Sequence, residues 1–180
     1  MNKVLILMLL LFSISLTAQE INWMTFEEAV KAQQTAPKKI FIDAYTVWCG
    51  PCKMLDKNTF HNKDVVNYVN ENYYAVKFNA EGNETINFKG KTYTNPNFDI
   101  HKKNGRNSTH QLAAYFGINA YPTMLFLDEE TNLITPLKGY RTPKQLELFL
   151  KLFKTNDYKK LTKEDDWANY QTNFKYEFVE

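Results

Sequence analysis

Both cysteines of this 180-residue chain stand in one run, Trp48-Cys49-Gly50-Pro51-Cys52, three positions apart. The stretch before it, Ile40-Phe41-Ile42-Asp43-Ala44-Tyr45, is β-prone, and the stretch after it, Lys53-Met54-Leu55-Asp56-Lys57, consists largely of good helix formers. Cys49 therefore falls at a helix N-terminus. Unsatisfied N–H groups and the positive end of the helix dipole stabilise a thiolate there, and the thiolate is the species that attacks disulfides. Cys52 lies one turn further in. Two thiols at this spacing close a small ring reversibly: Cys49 attacks a partner's disulfide, and Cys52 displaces the substrate thiol from the mixed disulfide. Half a zinc site is one bland alternative. Zinc takes four ligands, however, and the chain has no second cysteine pair and no ligand spacing among His61, His101 and His110, so no metal site is expected. A structural disulfide is the other alternative, and a Gly-Pro turn behind a tryptophan is an unusual place for one.

Beyond these five residues the sequence resembles the thioredoxin superfamily. Asp43, six positions before Cys49, falls where that family has a buried carboxylate beneath the active site. Lys77, in Tyr74-Ala75-Val76-Lys77-Phe78-Asn79, falls where it has a lysine beside that carboxylate. Tyr121-Pro122-Thr123 is similar to the family's cis-proline signature, and Gly139 matches a late glycine before the last helix. The resemblance implies an α/β thioredoxin fold, with a central mixed β-sheet flanked by helices. It also implies a catalytic set of Cys49, Cys52, Asp43 and Lys77, with Trp48, Gly50, Pro51, Tyr121 and Pro122 binding substrate. In the family the buried carboxylate assists deprotonation of the resolving cysteine. The physics agrees, since desolvation raises a carboxylate's pKa and makes it a proton acceptor near neutral pH, with Lys77 tempering the rise. A cis bond at Pro122 would leave the Tyr121 backbone free to pair with an extended substrate segment beside Cys49.

The amino end reads as a secretory signal. Lys3 precedes an apolar run from Val4 to about Leu16, short of the ~20 residues of a spanning helix, and small residues then favour cleavage near Ala18. The mature chain would be periplasmic or secreted. Removing residues 1–18 takes away one charge, Lys3, so the net charge falls from +2 to about +1, and nothing suggests nucleic acid. The remainder suits one domain with a sizeable core, residues 19–154, held without further disulfides, and a monomer is expected.

Helix and strand signals alternate along that domain. Thr25 with Glu28 forms a capping box for a helix that stops before Pro37, and a strand from about Lys39 to Tyr45 leads into the motif. Asn62 opens a helix, Tyr73 to Asn79 is a strand, and His110 to Phe116 is a helix ending at Gly117. Thr123 to Leu127 reads as a buried strand, Asp128 to Asn132 as a turn, Leu137 to Tyr140 as a hairpin strand, and Thr142-Pro143 as the start of the last core helix.

Two stretches depart from the resemblance. Lys77 and Pro122 stand 45 positions apart, where one helix and two short loops would need roughly 20 to 25, so an insertion is placed at about 81–108. It reads as a decorated surface loop, with Lys102, Lys103 and Arg106 on a solvated face; the functional alternative is a lip that selects the partner. The extension 155–180 reads as a strap. Thr162 and Asp165 would cap a short helix that carries Trp167, Tyr170 and Phe174 on one face.

The expected function is that of an exported thiol:disulfide oxidoreductase, reducing protein disulfides through a Cys49/Cys52 cycle. The region from Cys52 to Tyr73 most resembles the exported subgroup that includes the C-terminal domain of the Dsb membrane reductase. Gly50-Pro51, shared with thioredoxin, points to a reducing potential; thioredoxin stands at roughly −270 mV against roughly −120 mV for a strong oxidant. No nicotinamide or flavin motif is present, so no cofactor beyond the redox-active pair is expected, and electrons would come from another protein, a membrane-bound reductase. An oxidase or isomerase is the alternative enzyme, and a non-catalytic protein-binding module the alternative outside catalysis.

Overall fold

The computed structural model describes residues 20–180, so the predicted signal peptide lies outside them. At the centre is β2 (Lys39–Tyr45), buried at every position but the last, as an apolar strand covered on both faces must be. It pairs in parallel with β3 (Tyr73–Asn79) and antiparallel with β6 (Thr123–Leu127). The short β1 (Trp23–Met24) and β7 (Leu133–Lys138) close the edges in the order β1-β3-β2-β6-β7. This is a thioredoxin fold.

Strand alternation divides the core in two. Ile40, Ile42 and Ala44 face α1 (Phe26–Thr35) and α4 (Gln111–Tyr115). Phe41 faces α3 (Lys63–Asn72) and α5 (Pro143–Lys154), and Asp43, two positions on, points to that same side. The Thr25/Glu28 capping box opens α1, and Thr142 with Gln145 forms a second one on α5. After the motif, α2 (Gly50–Leu55) widens into a π-turn over Asp56–Phe60 that carries Phe60 into the core.

Three details differ from the sequence reading. β7 begins at Leu133, straight after the turn, because Asp128 Oδ1 accepts the Glu130 and Asn132 N–H groups and Thr131 takes φ +63°, which closes the hairpin early. The segment 81–108 is also no surface decoration. It contains a hairpin of β4 (Ile86–Phe88) and β5 (Lys91–Tyr93), turned at Lys89 and Gly90 with positive φ at both. The hairpin's Ile86, Phe88 and Tyr93 complete the core beside Phe26 and Phe116. The third difference is in the extension. Asp165 makes no capping bond to α6 (Asp166–Asn173); Asp166 accepts the Thr162 and Lys163 N–H groups instead.

The extension does form a strap. Trp167 packs on Phe149, and Phe178 on Tyr68. The fully buried Glu147 carboxylate accepts the Glu177 and Phe178 N–H groups, which ties the chain end to α5. Among the described residues no helix is long and apolar enough to cross a membrane.

Candidate active site

Cys49 occupies the N-cap of α2 and is joined to Cys52 by a disulfide with its Cα atoms 5.3 Å apart. Cys49 Sγ accepts the Cys52 N–H at 3.1 Å. That bond marks the N–H direction that would hold a thiolate once the disulfide is reduced. Both cysteines are nearly covered, at 2% and 5% exposure, so a partner must bring its sulfur to them.

Beneath them Asp43 is 1% exposed, and its Oδ1 has no hydrogen-bond partner among the described residues. Burial pushes its carboxyl up to about 7; Lys77 pulls it back, and Asp56 adds to the rise. Lys77 is the cross-strand neighbour of Asp43, as expected, but its ammonium is ion-paired with Asp56 and lies 5.3 Å from the Trp23 ring centroid. Asp56 thus diverts the cation that would otherwise serve Asp43 alone. A cleft of about 170 Å³, lined by Asp43, Thr46, Cys52, Asp56 and Lys77 among others, gives water room to reach the carboxyl.

Above the disulfide lies a second, larger groove of about 620 Å³. The motif residues Trp48, Cys49, Gly50 and Pro51 form one wall. Ile118 to Tyr121 form another, followed by a cis peptide bond between Tyr121 and Pro122. Glu81, Arg106 and Thr109 contribute a third. The Trp48 indole N–H donates to Glu81 Oε2 at 2.7 Å, the same oxygen accepts the Asn107 N–H at 2.8 Å, and the Tyr121 ring packs edge-on to Trp48 at 5.9 Å. The Arg106 guanidinium stacks 4.0 Å from the Trp48 ring centroid, so Arg106 belongs to the rim of the site and not to a remote solvated face.

The structure therefore brings together the predicted catalytic and substrate-binding residues, adds Asp56 and Glu81, and moves Arg106 from the expected solvated face to the rim. Asp56 was findable, since it stands four positions after Cys52 on the same helical face. Glu81 had no local signal.

The thioredoxin-like domain family matches residues 26–154, most of the chain and all of this site. This chain belongs to that family. Comparison with curated proteins finds no match. Among solved structures, the thioredoxin-like chain is similar to a candidate disulphide-isomerase from Bacteroides thetaiotaomicron, at 28% identity and TM-score 0.52, covering 76% of this chain and 94% of that one. It is also similar to a thioredoxin-fold protein from Helicobacter pylori, at 18% identity and TM-score 0.58, covering 75% and 81%. A thioredoxin from Thermus thermophilus aligns at 13% identity and TM-score 0.55, covering 74% and 87%. These last two show the fold alone. A Cys-X-X-Cys disulfide on a thioredoxin-like fold supports thiol:disulfide oxidoreductase chemistry.

Proposed function

We propose that this protein is an exported reductase of protein disulfides. The observation that carries the reading is the placement of the Cys49–Cys52 disulfide at the end of β2, directly over a buried carboxyl raised to about 7. In the reduced protein the Cys49 thiolate attacks one sulfur of a substrate disulfide. The substrate S–S bond breaks, a Cys49–substrate disulfide forms, and one substrate thiolate leaves. Asp43, as the carboxylate, takes the Cys52 proton, either through water in the cleft beneath or directly. The Cys52 thiolate then attacks Cys49 Sγ, which restores the Cys49–Cys52 bond and releases the second substrate thiolate. Two electrons pass to the substrate, and a dithiol on another protein must supply two more.

A membrane-bound reductase suits that last role, and the apolar amino end with Lys3 supports export to a periplasmic or extracellular space. Gly50-Pro51 supports the reducing direction, and a monomer remains the expected assembly. The Bacteroides thetaiotaomicron neighbour favours a second reading, isomerisation, in which the same first attack is followed by reshuffling within the substrate. Equilibration of the mature protein with a glutathione or dithiothreitol series separates the two. A potential near roughly −270 mV supports the reductase, and one above the glutathione range, toward roughly −120 mV, supports an oxidase or isomerase.

A further inference from the structure

The 81–108 segment does more than fill the core: it delivers one unpaired cation to the mouth of the active-site groove. The delivery is built. Buried Asn95 donates to the carbonyls of Gly82 and Ser108 at 2.9 and 2.7 Å, which pins the two ends of the segment together. Asn107 donates to the Asp99 carbonyl at 2.8 Å and accepts the Asp99 N–H at 2.9 Å, which fixes the turn beside Arg106. With the Asn107 N–H bound to Glu81 and Glu81 to the Trp48 indole, Arg106 is held on the outer face of Trp48.

Arg106 is exposed and makes no ion pair among the described residues. A second exposed cation, Lys138, reaches the opposite wall, where its ammonium donates to Asn119 Oδ1 at 2.8 Å. The groove's one carboxylate, Glu81, is 9% exposed, and its Oε2 is taken by the indole and the Asn107 N–H. Toward solvent the groove therefore shows positive charge on two sides of the disulfide. Long-range attraction between such a rim and an incoming chain sets which partner docks more than how tightly it is held.

We infer that Arg106 is a specificity-determining residue, and that the groove takes an extended protein segment whose disulfide cysteine is flanked by acidic residues. This rests on the reading of the chain as a protein-disulfide reductase. Arg106 acts through charge, and its flat guanidinium also steadies Trp48 by stacking.

The test uses the dithiol form of the protein and two synthetic peptides, each closed by an internal disulfide. The peptides are identical except for Asp-Asp or Lys-Lys beside the first cysteine. The readout is the ratio of their kcat/KM values, which a general loss of activity does not move. The wild type is expected to favour the acidic peptide by about tenfold at low ionic strength and by about twofold in 1 M salt, as screening of an exposed pair requires. Arg106→Lys keeps the preference, Arg106→Gln lowers the ratio most of the way toward one with Lys138 supplying the remainder, and Arg106→Glu inverts it. A ratio near one in the wild type, or one that Arg106→Gln and Arg106→Glu leave unchanged, overturns the inference. Neutral bis(2-hydroxyethyl) disulfide serves as the control for chemistry. If the wild type reduces neither this compound nor either peptide, the reductase reading fails and the inference falls with it.

Discussion

Below the Cys49–Cys52 disulfide lies a chamber made by neighbouring strands and the first turns of one helix; above it lies a groove whose outer wall comes from a segment 30 to 60 residues further along the chain. The chamber is small, encloses a carboxyl whose Oδ1 has no partner among the described residues, and holds Lys77, one of its two lysines, against Asp56. The groove is larger, its Glu81 carboxylate has Oε2 bound to the Trp48 indole and the Asn107 N–H, and neither Arg106 nor Lys138 makes an ion pair among the described residues. One side is arranged to move a proton and the other to meet a charged chain. The proton-handling side depends on pairings that the fold itself imposes, such as Asp43 opposite Lys77. The partner-facing side depends on an addition to the fold, so it is the part that could change partners without changing the chemistry.

The largest effect is expected from Cys52→Ser, which leaves the attacking thiol and removes the resolving one. Turnover should fall to background while a mixed disulfide with substrate accumulates, visible as a mass shift without reductant. If turnover persists, the two-cysteine cycle is wrong.

Phe88→Ala tests whether the inserted segment that carries the groove's outer wall is structural. Phe88 is 2% exposed and packs edge-on to Phe26 at 5.0 Å. Its truncation should cost about 3–5 kcal/mol of stability in a denaturant titration. A surface decoration would lose less than about 0.5 kcal/mol.

Asp43→Asn sharpens the chamber side through stability. The folded protein holds the Asp43 proton up to about 7, whereas an ordinary aspartate releases it near 3.8. Between those values the native state binds the extra proton, so the Asp43 contribution to stability is lost as pH rises through about 7. Above that, a buried anion costs up to about 4 kcal/mol, and Asn removes that cost. The variant should therefore melt higher than wild type at pH 8 and show no such gain at pH 4. Asp56→Asn should act on the same proton more weakly. With its negative charge gone and Lys77 released, the midpoint of the pH–rate profile should move to lower pH.

What could be read from the sequence divides along the same line. Cys49 and Cys52 were legible because their chemistry is local: a strand, a turn and a helix start within ten residues. Asp43 was legible through the family resemblance, from its place six positions before Cys49, and the structure puts it on the same side of β2 as Phe41. Lys77 was placed at the right register position, but its true partner required Asp56 to be seen as one helical turn beyond Cys52. The outer wall was not legible. The indole of Trp48 meets Glu81 across 33 positions, and each hairpin strand has three residues, too few for a period-two pattern to stand out from polar neighbours. Arg106 looked solvated because its neighbours Lys102 and Lys103 are, and only the Asn107–Asp99 turn aims it at Trp48. The strap was legible in outline from the spacing of Trp167, Tyr170 and Phe174, but its anchor, the buried Glu147, reads in sequence as an ordinary helix-surface acid.

The most direct measurement is single-turnover reduction of a disulfide peptide by the dithiol protein from pH 5 to 9, for wild type and Asp43→Asn. The wild-type rate should rise with an inflection near pH 7, where burial places the ionisation of Asp43. In the variant that inflection should vanish and the plateau rate should drop on the order of 10²-fold, as loss of a positioned base does. An Asp43→Asn profile with the same inflection and plateau as wild type would contradict that role for Asp43, because Cys52 would then be losing its proton without the carboxyl beneath it.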